Sequence, residues 1–556
     1  MLIFLLLLFS VLPSHALERK VERITDFSCG LVLGQGYDQG GKIGRINFGC
    51  SRDAQNVYFT KKNGAVIARE QYAGANSTAT SASRTAISMS ASSQGTVQWL
   101  EDFADNAGTA YTLLRSSQNI TYCDSSTPPI CTFLPGVVLK TTAPIQGIVA
   151  LNGAWIIGGG TAPFFVGRDF AVAWFPPNAP QGTLIASFRN RILIAGVPGR
   201  ESILYISGQD NGLDWTTGNR STSPFTMNVG GLANPELVTC LMGVQNDAFR
   251  IGTTKKLYSL LGFSQDDFRI AETANVGVYN ARGAVVFPDG EMIWSGNDGF
   301  YSLSGNELKK ISLNIDTLAR RIAVQGSFAS RGERPRNFTA GNHNGDYWFS
   351  YIIAASLSYT ENDSILVYER PRGAWTQFTN IAAASFANLS APCFSHDKFH
   401  FGNADGNGKF FSFGRKGVNA GNASNCNGPV EGTVQASFEL WPMDAQDPST
   451  MKAFETAYVV THSTPSEFYA PYSPMATRVF YTMDSNFFDS SSEVTLGTIN
   501  SQVASRLQAP RINFSQSGVG SIPKGRWISL GFSSVLQYNP LLIEEIILYY
   551  SVIGRI

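Results

Sequence analysis

The chain has 556 residues, enough for three to four domains of average size or for fewer, larger β domains. Lys+Arg and Asp+Glu cancel at 42 each, and charged residues are 15%, against roughly 25% in ordinary globular chains. This excludes a strongly basic nucleic-acid binder and an acidic disordered chain. With 54 glycines and 12% aromatics the composition suits short strands joined by tight turns, and it lacks the Ala/Glu/Lys/Leu/Arg excess of a coiled coil or helical bundle.

The apolar run Met1–Leu12 carries no charge and is followed by Pro13-Ser14-His15-Ala16. It is too short to span a bilayer as a helix, and Ser14 and Ala16 fit a small-x-small cleavage site. A secretory signal is the natural reading of residues 1–16. The alternative is an uncleaved segment that docks on a partner. Residues 17–45 then form an N-terminal arm.

From about 46 to 420, strand-like runs alternate with turn formers, and no long stretch has a 3.6-residue apolar period. Asn56–Phe59, Trp155–Ile157, Arg191–Ala195, Ser202–Ile206 and Tyr347–Tyr351 read as strands. Asn63-Gly64, Pro198-Gly199, Asp289-Gly290, Asp298-Gly299 and Asn344-Gly345 read as tight turns. A loose unit of strand, polar turn and aromatic-ended strand recurs, for example over Thr183–Trp215, Ala284–Ile311 and Phe338–Phe378. Its period of roughly 40–50 residues is that of a propeller blade and allows about six to eight units. An irregular series of sandwiches is the competing reading. Gly, Asn and Ser dominate Gly417–Gly428, after which residues 430–556 read as a separate β-sandwich. The run Leu541–Val552 is apolar on both faces and belongs in a core or an interface. The fold class expected is all-β: a degenerate β-propeller with a C-terminal β-sandwich.

Seven cysteines form no CxxC pair, which excludes zinc-ribbon and thioredoxin-like sites. Cys123 and Cys131 flank a short Pro-containing loop, and Cys29 with Cys50 is a second local candidate pair; buried free thiols are the alternative. There are five histidines, no HExxH, no Gly-x-Ser-x-Gly elbow and no Walker A sequence. Asn403-Ala-Asp405-Gly-Asn407-Gly408 imitates the start of a calcium loop, but its twelfth position is Gly414 rather than a bidentate Glu. Gly208–Trp215 resembles one degenerate Asp-box of sialidase-type propellers, in which the box is a structural turn. Arg189, Arg191 and Arg250 are arginines that could converge on a carboxylate, although nothing in their spacing says so. No carboxylate pair is marked for glycosidase work. Arg19, Lys20, Arg23, Lys42, Arg45, Arg52, Lys61, Lys62 and Arg69 read as a solvated basic face. No catalytic, metal or cofactor site is expected.

Several stretches together resemble a known family. Ile24-Thr-Asp26-Phe27-Ser-Cys-Gly30-Leu31, then Ala54-Gln-Asn56-Val57-Tyr58 and Asn63–Arg69, are similar to the opening of β-propeller tail proteins of short-tailed bacteriophages. Phe249–Tyr258, Gly277–Gly283, Ile293–Tyr301 and Ile311–Ile315 resemble their successive blades. Thr450–Phe454 and Gly525–Ile528 resemble their C-terminal sandwich. The likeness implies a virion structural protein of the tail nozzle, without enzymatic activity. Such a subunit closes the tail channel as a ring, usually a hexamer, and conducts genomic DNA during ejection without sequence-specific binding. Its partners would be copies of itself, the portal or adaptor, other tail proteins and the host cell surface. Asp26, Phe27, Gly30, Leu31 and Asn56 become the candidates for N-terminal docking. The apolar leader departs from the family pattern. The alternative is a secreted propeller-sandwich adhesin or lectin, or a sialidase-like glycosidase.

Overall fold

In a computed structural model the chain is all-β, with a propeller and a sandwich. The structure describes residues 19–27, 29–33, 50–59, 66–68, 72–74, 96–116, 118–124, 131–140, 145–159, 161–218, 220–231, 234–243, 249–327, 338–352, 362–390, 399–403, 410–413, 434–443, 449–462, 475–483, 493–501, 511–514, 522–536 and 542–555. Two compact units emerge. One comprises Leu31–Gln35 and Glu70–Gly432; the other comprises Met1–Gly30, Gly36–Arg69 and Thr433–Ile556.

The first unit contains seven antiparallel blades of four strands among the described residues, six of them separate four-stranded sheets and one the consecutively paired strands of 339–379. Their strands run over 97–138, 145–174, 184–228, 238–274, 284–310 and 339–379, and the seventh blade takes 383–413 together with Tyr72–Gly74. The first strands of successive blades touch in cyclic order, and the seventh returns to the first, so the ring closes. Closure is made by sequence-distant pairing, since Phe411, Ser412 and Phe413 lie opposite Gly74, Ala73 and Tyr72. Blade stacking explains a gradient of burial along each blade. Second strands such as Arg191–Ala195 are buried on both faces, whereas the outermost strand Glu307–Lys310 is almost wholly exposed. Apolar clusters fill the seams between blades. Leu193, Leu204 and Ile206 meet Phe249, Ile251 and Leu260 between the third and fourth blades. Burying each such side chain contributes about 1.5–3 kcal/mol. At the closing seam a Cβ on Gly402 would lie 2.4 Å from the Val97 carbonyl oxygen, so this position requires glycine.

Turn chemistry follows the residues expected. Asn344 and Gly345 take φ of 53° and 88°, as a two-residue hairpin requires, and Gly290 takes 85°. The helix among the described residues, Asp316–Ser327, follows the fifth blade and opens with Asp316 paired to Arg320 at 2.6 Å.

The second unit is a sandwich of two antiparallel sheets. One runs Ser51–Gln55, Val434–Leu440, Ile528–Leu536, Met475–Met483, Val494–Ser501. The other runs Val57–Phe59, Val66–Ala68, Leu542–Arg555, Thr450–His462, Arg511–Asn513, with Arg19–Ile24 also on Leu542–Arg555. The apolar run near the C-terminus is a strand paired along both edges, with Ile546, Leu548 and Tyr550 buried on one face and Ile547 and Tyr549 half-exposed on the other. Phe438 joins the layers, with Phe27 at 5.6 Å and Phe59 at 6.2 Å edge-on to it. The expected start of the propeller at about 46 is corrected here. Residues 51–68 contribute strands to the sandwich, because their partners lie about 380 or more residues downstream and no local pattern announces that pairing.

Candidate functional site

Among the described residues, a cleft of about 610 Å³ on the third and fourth blades gathers acidic, basic and amide side chains. Phe225–Asn228, the outermost strand of the third blade, supplies Thr226, Met227 and Asn228. The connection to the fourth blade adds Asn234 and Glu236, and the outer half of that blade adds Lys256, Tyr258, Ile270 and Glu272. Gly230 and Gly231 both have φ of 81°, which turns the connection back on itself. A Cβ on Gly230 would meet the Asn234 carbonyl oxygen at 2.6 Å, so only glycine allows the fold of this loop.

Hydrogen bonds fix Glu236. Its N–H donates to the Val229 carbonyl at 3.2 Å; Thr253 Oγ1 donates to its Oε2 at 2.5 Å and the Tyr258 hydroxyl to its Oε1 at 2.9 Å. Burial, then the bond to Glu236, pushes the Tyr258 phenol up to about 12, so it stays a donor at neutral pH. Lys256 Nζ lies 2.7 Å from Glu272 Oε2, and that hydrogen bond holds the ammonium above its ordinary range. The arrangement offers fixed acceptors and donors, and no group of three or more His, Cys, Asp or Glu placed to hold a metal occurs among the described residues.

The centre of the propeller is the second place where charge collects. Arg282, in the turn entering the fifth blade, donates to the carbonyls of Gln98 at 3.0 Å and of Ala384. These belong to the first strands of the first and seventh blades, so the side chain reaches across the ring to its closing seam. Burial pulls its guanidinium down to about 10, still protonated at neutral pH. Burial likewise pulls Arg115 down to about 10, with the Arg282 charge adding to the effect. Burial, with Asp102 alongside, pushes Glu101 up to about 8.

Other residues singled out from sequence have structural duties. Arg191 donates to the carbonyls of Ser207 at 2.6 Å, Ser221 at 2.6 Å and Ser223 at 3.1 Å. Arg250 binds the hydroxyls of Ser259 and Thr273, and Arg189 stacks 3.9 Å over Phe263. The three arginines therefore have separate partners rather than one shared carboxylate. The Asp-box-like segment is a turn closed by Gly208 N–H to Asp214 O at 3.0 Å, with Trp215 packed on Phe175. Cys29 is bonded to Cys50, and Cys123 to Cys131, the latter pair directly opposite each other in the first blade. Cys240 is a buried free thiol; Cys393, Cys426, Asp405–Gly408, Lys42, Arg45, Lys61, Lys62, Arg69 and the leader lie outside the described residues. Arg19 and Arg23 pair with Glu455 and Glu545 at 3.1 and 3.6 Å, and Arg52 pairs with Glu439.

The docking candidates are corrected. Phe27, Leu31 and Asn56 are 0%, 2% and 2% exposed inside the chain's own units, and Gly30 is buried; Asp26 alone is exposed. Leu31 N–H donates to the Trp375 carbonyl at 2.8 Å, and the Gly30 carbonyl accepts from Ser51 N–H at 3.0 Å. Their positions mark internal packing, which a sequence motif alone does not separate from a docking surface. No local pattern in the sequence announces the cleft. Its signals, the Gly230-Gly231 pair and the Thr253–Lys256 turn, become meaningful once two blades are side by side.

No protein-family model and no curated protein matches the chain. Among solved structures, virginiamycin B lyase from Staphylococcus aureus, an inactive form with quinupristin, is similar over 58% of this chain and 95% of its own, at 8% identity and TM-score 0.37. BamB from Moraxella catarrhalis is similar over 56% of this chain and 84% of its own, at 11% identity and TM-score 0.32. PorZ of Porphyromonas gingivalis, a surface component of the type-IX secretion system, is similar over 70% of this chain and 56% of its own, at 12% identity and TM-score 0.28. At these identities the likeness concerns fold alone and carries no activity across.

Proposed function

We propose that the chain is a virion structural protein, a subunit of the ring-shaped tail nozzle of a short-tailed bacteriophage. In this reading it has no catalytic role. It closes the tail channel, holds the tail to the portal or adaptor and neighbouring tail proteins, and conducts genomic DNA during ejection. The observation that carries the reading is where the resembling segments fall. Phe249–Tyr258 and Ile293–Tyr301 form the second and third strands of the fourth and fifth blades. Gly277–Gly283 and Ile311–Ile315 bracket the fifth blade, and Thr450–Phe454 and Gly525–Ile528 open long sandwich strands. The likeness thus lies in the frame of the molecule.

The mechanism is mechanical. Closed blades form a stiff body with short strand edges. A surface poor in charge suits broad permanent contacts, because few ions lose their water. Identical heterologous contacts generate a ring when the rotation closes. Because Arg282 bridges the propeller centre, the DNA path in this reading lies between subunits rather than through one. Electron microscopy and light scattering of the purified full chain test it. Six-fold rings of corresponding mass are expected, and monomers at high protein concentration overturn it, as does absence of the chain from purified virions.

A second reading, a secreted propeller-sandwich adhesin or lectin, is favoured by the two disulfides, which form in oxidising compartments. N-terminal sequencing of the mature chain separates the two, since loss of residues 1–16 belongs to the secreted form.

A further inference from the structure

The cleft on the third and fourth blades has a chemistry of its own, and it stands whether or not the chain assembles into a ring. Two carboxylates, Glu236 and Glu272, face one ammonium, Lys256. The ammonium is already paired with Glu272. An anionic ligand would therefore meet an excess of negative charge with no free countercharge. An apolar ligand would strip water from these groups without replacing their hydrogen bonds, which is costly.

A neutral ligand rich in hydroxyls meets neither obstacle. A carboxylate accepts about four hydrogen bonds, and Glu236 receives one at each oxygen from Thr253 and Tyr258, so it retains lone pairs for incoming hydroxyls. Lys256 retains donors beyond its bond to Glu272, and the side-chain amide of Asn234, in the connecting loop, offers donor and acceptor together. Met227 and Ile270 add an apolar strip, suited to the C–H face of a sugar ring. The volume of about 610 Å³ lies within the roughly 300–1,000 Å³ of small-molecule sites. The site is also held before any ligand arrives, since the double-glycine turn and three hydrogen bonds fix Glu236, which lowers the ordering cost of binding.

We propose that this cleft binds a neutral glycan, with Glu236, Glu272, Lys256 and Asn234 as its hydrogen-bonding partners and Met227 and Ile270 against the ring face.

The test uses fluorescently labelled full chain on an array carrying neutral glucose-, galactose- and N-acetylhexosamine-terminated oligosaccharides beside sialylated and sulfated ones. Titration of the strongest neutral oligosaccharide follows, with Asn234→Ala and Glu272→Gln as variants. Both positions are exposed or half-exposed, and thermal unfolding verifies that each variant is folded. Leu308→Ala, exposed on the fifth blade, is the control. Neutral oligosaccharides should bind the parent chain, and each cleft variant should weaken binding about tenfold while the control leaves it unchanged. Binding of only sialylated or sulfated probes overturns the proposal, as does binding equal in parent and cleft variants, or no binding at all. Electron microscopy of the same variants reads ring assembly separately, so failure of one proposal is not mistaken for failure of the other.

Discussion

Arg191 shows how this fold uses a buried charge. Its side chain crosses the third blade to three main-chain carbonyls that strand pairing leaves unsatisfied. Arg191→Ala should lower stability by about 2 kcal/mol, chiefly because the Ser207 carbonyl stays buried and loses this donor, whereas Ser221 is exposed and keeps the Gln265 N–H. Chemical denaturation of the two chains measures the difference, and Arg191→Lys should recover only part of it, because one ammonium cannot serve the three positions of a planar fork. Glu101 gives a pH signature. Burial raises its folded pKa to about 8 from an ordinary 4.5, so the folded state holds this proton more tightly than the unfolded state. Its contribution to stability is therefore full below the ordinary value and is lost as pH rises towards 8. Thermal unfolding across that window should show a decline that Glu101→Gln flattens. An unchanged slope in the variant would assign the decline to other groups. Neither role is visible in sequence: Arg191 and Glu101 look like any charged residue beside an apolar run.

At the scale of elements, the disulfides and the closing strand matter most. Cys29–Cys50 spans 21 residues and Cys123–Cys131 spans 8, so the first removes more freedom from the unfolded chain. Replacing each pair by serine should cost about 3.3 and about 2.5 kcal/mol respectively by the chain-entropy relation. Unfolding of the two variants under non-reducing conditions checks the order. Both pairs were identifiable from spacing, because short loops between cysteines bring them together whatever the fold. The strand Tyr72–Gly74 was not identifiable. It is three residues long, and its partner Phe411–Phe413 is more than 330 residues away.

For the molecule as a whole, the two units make different demands on the chain. Residues 70–432 contain every strand of all seven blades, including the closing one. That fragment should fold by itself with a cooperative thermal transition and a strand-dominated circular dichroism spectrum, at somewhat reduced stability because the contact of Leu31 is lost. Residues 433–556 alone should remain unfolded, because Ser51–Gln55, Val57–Phe59 and Arg19–Ile24 supply strands to both of that unit's sheets. Adding residues 17–69 through a linker should restore the sandwich. A folded isolated C-terminal fragment would contradict this division of the chain.

Hairpin chemistry, blade period and the change of pattern after Gly428 are local properties, carried by neighbouring residues, and they determined the all-β class, the propeller and the sandwich. Pairings between distant segments leave no trace in local pattern, because any extended apolar segment can serve as partner to many others. Ring closure by Tyr72–Gly74, the sharing of the sandwich between both ends of the chain, the reach of Arg282 across the blades and the cleft around Glu236 were decided only when the tertiary structure brought those segments side by side.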